Sequence, residues 1–216
     1  MNDAVGIKIR QFFAKYPSRY ADEGEIIIQN YISPKDVIYL ISGRVKQYDV
    51  DSNGTEIVVN SFKPSDVFPM NPIFNEIKNT YFYESTTAIE FKRAPINDVI
   101  GFLKDNQDVC YELLGYLYSY VNDIQRRMAY MMRGSARSRT IFEILSECRR
   151  FGRLQKNGSF IVDIREDELA NQTGLARETV NREISGLKHL GIISINYKGL
   201  TVHNLKRLNQ ELGVNI

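Results

Sequence analysis

Apolar residues recur with more than one period along this chain, and the changes of period divide it. In residues 4–15, Val5, Ile9, Phe12 and Phe13 stand near helical spacing, which predicts a short amphipathic helix. From about Arg19 to Arg93 the period shortens. Short β-rich runs follow one another: EIIIQ (25–29), DVIYLISG (36–43), RVKQYDV (44–50), TEIVVNSF (55–62), TYFYESTT (80–87) and AIEFKRA (88–94). Turn signals separate them, among them Ser33-Pro34, Ser42-Gly43 and Lys63-Pro64-Ser65-Asp66. Asn53-Gly54 between two alternating runs predicts a hairpin, because both residues tolerate positive φ. Many closely spaced short strands predict a small antiparallel barrel or jelly roll.

After Pro95 the helical period returns. INDVIGFLKD reads as a short helix, and residues 106–133 then run without proline. Within that run Cys110, Leu114, Leu117, Val121, Ile124, Met128 and Met131 follow at steps of four and three, a heptad seam. Asp123, Gln125, Arg126 and Arg127 lie off it. A helix packed on its own domain would explain the seam. At ~1.5 Å per residue, however, it extends roughly 40 Å, more than the preceding barrel covers, and a parallel dimer is the more economical solution. Gly134-Ser135 then breaks the helix as a hinge. Residues 136–152 form another amphipathic helix with Ile141, Ile144 and Leu145 inward and a basic cap of Arg149, Arg150 and Arg153. Asn157-Gly158 turns into the strand SFIVDI.

The densest chemistry lies in DIREDELANQTGLARETVNREISGLKHLGIISINYKGLTVHN. Asp163 and Glu166 have capping-box spacing and are expected to open a helix carrying Leu169 and Ala170 inward. Gln172-Thr173-Gly174 is the turn, and a second helix runs from about Ala176 to His189 with Val180, Ile184 and Leu187 inward. That leaves Arg177, Glu178, Thr179, Asn181 and Arg182 at its N-terminal, outward end, where a recognition helix meets base edges. Arg can bond bidentately to guanine O6 and N7, and Glu can accept from cytosine N4. IISI, the tip Asn196-Tyr197-Lys198-Gly199 and LTVHN read as a wing whose Lys198 reaches a phosphate. The same face could also be a solvated, salt-bridged surface on a helix-turn-helix that binds no DNA.

The charge distribution favours nucleic acid. From Gly134 onward thirteen Lys and Arg stand against nine Asp and Glu, a balance of +4; before it fifteen stand against seventeen, or −2. The 43% apolar and 25% charged content is ordinary for a folded chain of 216 residues, long enough for two domains. No apolar run reaches the ~18 to 20 residues of a membrane span. The N-terminus lacks the basic and apolar regions of a signal peptide. Two cysteines, Cys110 and Cys148, cannot build a disulfide framework or a four-thiolate cluster, so a reducing cytoplasm is the expected compartment. Metal-ligand spacing, a nucleophile–base pair and a phosphate-cradling glycine loop are all missing, so no enzyme is expected.

GLARETVNREISGLKHLGII resembles the recognition segment of the CRP/FNR family of bacterial transcription regulators, and YLISGRVKQYDVDSNGTEIVVNSFKPSDVF is similar to the barrel of that family. The resemblance covers nearly the whole chain. It implies an α+β architecture: an N-terminal antiparallel β-barrel or jelly roll as sensor (1–104), a dimerisation helix (105–133) and a C-terminal winged helix-turn-helix (134–216). It further implies that Arg177, Glu178 and Arg182 read a TGTGA-type half-site. The expected partners are double-stranded DNA, a second copy of the chain, RNA polymerase and a small-molecule effector of unidentified class.

Members that bind cyclic AMP carry Gly-Glu-Leu-(Ala/Gly)-Leu and, downstream, Arg-Ser or Arg-Thr. Here Pro69-Met70-Asn71-Pro72-Ile73 and Thr80-Tyr81 stand in those places. Without that cation the cyclic phosphate loses its charge-assisted bonds, and the two prolines remove backbone donors. Cyclic AMP is therefore not the expected effector. An iron–sulfur cluster and a His-ligated haem fit no better, since His189 and His203 both lie in the DNA-binding part. The pocket region holds Phe68, Met70, Phe74, Tyr81, Phe82 and Tyr83, with Tyr116, Tyr118 and Tyr120 on the long helix. Two readings fit these rings: an apolar effector pocket lined by Phe68, Met70, Phe74, Tyr81, Tyr83 and Tyr120, or a barrel interior filled by its own side chains.

Overall fold

The computed structural model describes residues 2–74, 78–196 and 199–212. It divides into two units, Met1–Val121 and Asn122–Ile216. The first begins with α1 (Asp3–Ala14), whose Asn2 side chain accepts the N–H of Ala4 at 3.1 Å. The strands β1 (Ser18–Ala21), β2 (Ile26–Ile28), β3 (Asp36–Ser42), β4 (Val45–Val50), β5 (Glu56–Phe62) and β6 (Val67–Phe68) follow. A short α2 (Asn71–Phe74), β7 (Phe82–Ser85), β8 (Ile89–Pro95) and α3 (Ile96–Asp105) complete the run up to α4 (Gln107–Arg133).

The strands form two antiparallel four-stranded sheets, ordered β1-β8-β3-β6 and β2-β7-β4-β5, which is a jelly-roll arrangement. Strand β3 shows why its text is apolar without alternation. Val37 and Tyr39 pack against α1 and α3 residues such as Phe13 and Val99. Their neighbours Ile38 and Leu40 point the other way, onto Phe68, Tyr83 and Phe91. Both faces are covered, so both registers of the two-residue period must be apolar. Between β4 and β5, Asp51 Oδ1 accepts the N–H groups of Asn53 (2.8 Å) and Thr55 (2.9 Å). Of the expected positive-φ pair only Gly54 has that conformation, because the connection is longer than a two-residue turn and the aspartate side chain closes it.

The second unit begins with the last turns of α4 and adds α5 (Ala136–Phe151), β9 (Arg153–Leu154), β10 (Phe160–Val162), α6 (Glu166–Thr173) and α7 (Arg177–His189). Strands β11 (Ile193–Asn196) and β12 (Gly199–Val202) and a final α8 (Leu205–Glu211) follow. The sheet order is β11-β12-β10-β9, and Ile141, Ile144, Leu169, Val180, Ile184, Leu187 and Leu200 share one core beneath it. The expected Asp163–Glu166 box does not open α6. Ile164 is buried and keeps the chain extended one step further, so Arg165 is the N-cap and its N–H is accepted by Glu168 Oε2 at 2.9 Å. Among the described residues no helix is long and apolar enough to cross a membrane.

Candidate nucleic-acid interface

Val180, Ile184 and Leu187 fix the rotation of α7. All three are buried, and at about 1.5 to 3 kcal/mol for each such side chain the helix cannot turn another face inward. Arg177, Glu178 and Arg182 are consequently exposed, on the first turns of the helix. Arg182 has only a loose 3.7 Å pairing with its neighbour Glu183, on a side chain that is 73% exposed, so its guanidinium is free to re-aim. Thr179 and Asn181 are half-buried, and the Oδ1 of Asn181 is turned inside without a partner. Ala176 supplies no side-chain oxygen to cap the helix; the N–H of Thr179 donates to the Ala176 carbonyl at 2.9 Å, which leaves those of Arg177 and Glu178 for solvent or a phosphate.

The turn holds α7 in place. Thr173 is fully buried and its hydroxyl donates to the carbonyls of Leu169 (2.8 Å) and Ala170 (3.1 Å). Gly174 follows at φ +62°, a left-handed conformation, and a Cβ there would lie 3.3 Å from Met131 Cε. In the wing, His203 Nε2 and Ser194 Oγ stand 2.9 Å apart. Lys198, expected at the tip, lies outside the described residues.

Sequence reasoning missed a set of polar groups beneath the helix pair. Arg127 Nε pairs with Glu143 Oε1 on α5 at 2.7 Å, and its Nη2 donates to the carbonyl of Gln172 at 2.8 Å. Gln172 Nε2 in turn donates to Glu147 Oε1 at 3.2 Å. One guanidinium thus ties α4 and α5 to the last turn of α6. Glu143 and Glu147 are both buried, and burial pushes the Glu143 carboxyl up to about 7 against the pull of Arg127. The available signal was Arg127 itself, a cation off the heptad seam. Nearby, burial pushes the Cys148 thiol up to about 12, so it is no nucleophile.

In the first unit Phe68 stacks on Phe62 and Tyr83, with ring centroids 4.1 and 5.7 Å away. Tyr81 packs against the same cluster, and Tyr83, pushed above its ordinary pKa mainly by burial, has Tyr81 and Tyr120 beside it. Met70 packs instead with the cluster under α1 and α3, and Phe74 is 59% exposed. On α4 the seam residues Leu114, Leu117, Val121, Ile124 and Met128 are between 39% and 60% exposed, while Met131 is half-buried.

Two family models match: a cyclic nucleotide-binding domain over residues 18–106 and a Crp-like helix-turn-helix domain over residues 137–211. The chain belongs to the CRP/FNR family of transcription regulators. As a member of that family it is a DNA-binding protein, and the helix-turn-helix of α6 and α7 is the element concerned. Among CRP/FNR relatives, the global nitrogen regulator of Synechocystis sp. is 29% identical over 178 residues, 81% of this chain and 79% of that one. The CRP-like cAMP-activated global transcriptional regulator of Mycobacterium tuberculosis is 26% identical over 178 residues, again 81% and 79%. FixK2 from Bradyrhizobium japonicum shares the fold at a TM-score of 0.77 and 19% identity, over 90% of this chain and 96% of that one.

Proposed function

We propose that this regulator works as a homodimer that reads a palindrome of TGTGA-like half-sites without cyclic AMP. Residues 1–104 act as the sensor, 105–133 as the dimerisation helix and 134–216 as the reading head. The observation that carries the reading is the exposure of Arg177, Glu178 and Arg182 on one end of a helix whose opposite face is locked into the core. The two arginines read guanines, Glu178 a cytosine, and Thr179 and Asn181 support them at the groove wall. The uncovered seam from Leu114 to Met128 supports pairing along α4.

One relative is named as cAMP-activated, yet this chain places Pro69-Met70-Asn71-Pro72 and Thr80-Tyr81 where a cyclic phosphate needs a cation. The stack of Phe62, Phe68 and Tyr83 supports a barrel interior filled by its own rings. Fluorescence anisotropy on a duplex with two inverted TGTGA half-sites tests the proposal. Arg177→Ala should cost about 1–3 kcal/mol and flatten discrimination at one base, and cyclic AMP should leave Kd unchanged. Equal weakening on every sequence would make Arg177 a phosphate contact, and tightening by cyclic AMP would contradict the sensor reading.

A further inference from the structure

Beside the last turns of α4, walled by α5 and α8, lies a cavity of about 480 Å³, within the range of small-molecule sites. Tyr130, Phe142, Leu145 and Leu212 give it an apolar lining, and the rings of Tyr130 and Phe142 pack with centroids 4.8 Å apart. Two cations also line it: Arg126 and Arg149. Neither guanidinium has a hydrogen-bond or ion-pair partner among the described residues. Two like charges beside apolar walls repel each other, and one shared anion relieves that repulsion.

The polar groups at the hinge end are already committed. Gly134 N–H donates to the Tyr130 carbonyl at 2.7 Å, and Ser138 Oγ donates to the Ser135 carbonyl at 3.0 Å. Gly134 is required there, since a Cβ would fall 2.3 Å from the Tyr130 oxygen. The charge that recognises an anion therefore comes from the two arginines, with the Asn209 amide on the same wall as a neutral donor. Arg126 and Tyr130 stand about 200° round α4 from Ile124 and Met128, so pairing along the seam leaves the cavity open.

We infer that this cavity binds a small amphipathic carboxylate, its apolar body against Tyr130, Phe142 and Leu145 and its carboxylate on Arg126 and Arg149. The site belongs to the DNA-binding unit and is separate from the barrel. It stands whether or not the chain reads TGTGA half-sites.

Isothermal titration of the full chain with sodium decanoate, and with decanamide as the uncharged control, tests it. Decanoate should bind saturably, one per chain, and decanamide about tenfold or more weaker. The double variant Arg126→Gln with Arg149→Gln should weaken decanoate by a similar factor and leave decanamide unchanged. Both side chains are exposed, so the variant should melt with the parent; if it does not, each single variant should show part of the same loss. Amide chemical shifts should move at Phe142, Leu145 and Leu212. No saturable binding, equal binding of acid and amide, retained affinity in the double variant, or shifts along Leu114–Val121 instead would each overturn the inference.

Discussion

At the scale of single residues, Glu143 is a buried group whose ionisation near neutral pH acts on the second unit. Its carboxyl is held near 7 in the folded chain and near 4.5 when unfolded, because burial costs the charged form more than Arg127 returns. Folding therefore takes up a proton between those values. Stability is unpenalised below about 4.5 and is lost as pH rises towards 7, at about 1.4 kcal/mol per unit at most. Relative to Glu143→Gln, the parent should lose up to about 3 kcal/mol between pH 5 and pH 8 in denaturant titrations. A gain over that window would mean that the Arg127 pairing outweighs burial. Gly174 makes a second case. Its left-handed φ and its nearness to Met131 should make Gly174→Ala cost about 1–2 kcal/mol, read as a lowered melting temperature. The exposed Arg177, Glu178 and Arg182 were legible in the sequence because the spacing of Val180, Ile184 and Leu187 fixes which way they face. The Arg127–Glu143–Gln172 contacts were not, since they join residues distant in sequence that only the packing of α4, α5 and α6 brings together.

Among the elements, α4 carries the boldest expectation. Its seam is an apolar stripe that no described residue covers well, and such a stripe in water favours a second helix. Replacing Leu117 or Ile124 by Lys should shift the chain to monomer at micromolar concentration in sedimentation equilibrium and leave the helical circular dichroism of the folded units in place. A parent that sediments as a monomer under those conditions would remove the dimer from the account. The long elements were readable because their apolar period runs for several turns or alternations. The short ones were not. Strand β6 has two residues and β9 has two, too few to show a period, and both exist because a neighbouring strand offers hydrogen bonds. The cap of α6 lies two residues beyond Asp163, because two frames, Asp163–Glu166 and Arg165–Glu168, share the same spacing. Burial of Ile164 decides between them.

For the whole molecule, the recognition helix and the seam together make one geometric claim. If α4 pairs as proposed, a two-fold axis would duplicate Arg177, Glu178 and Arg182, and the bound sequence would be an inverted repeat with half-sites ~34 Å apart. The basic excess after Gly134 supplies the non-specific attraction, which should weaken steeply with salt, while base contacts set the sequence. Selection of bound duplexes from a random-sequence pool by the full-length chain tests this most directly. The expected product is an inverted repeat of TGTGA-like half-sites, lost from the selected pool with Arg177→Ala. A single unrepeated motif, or no enrichment at all, would contradict it.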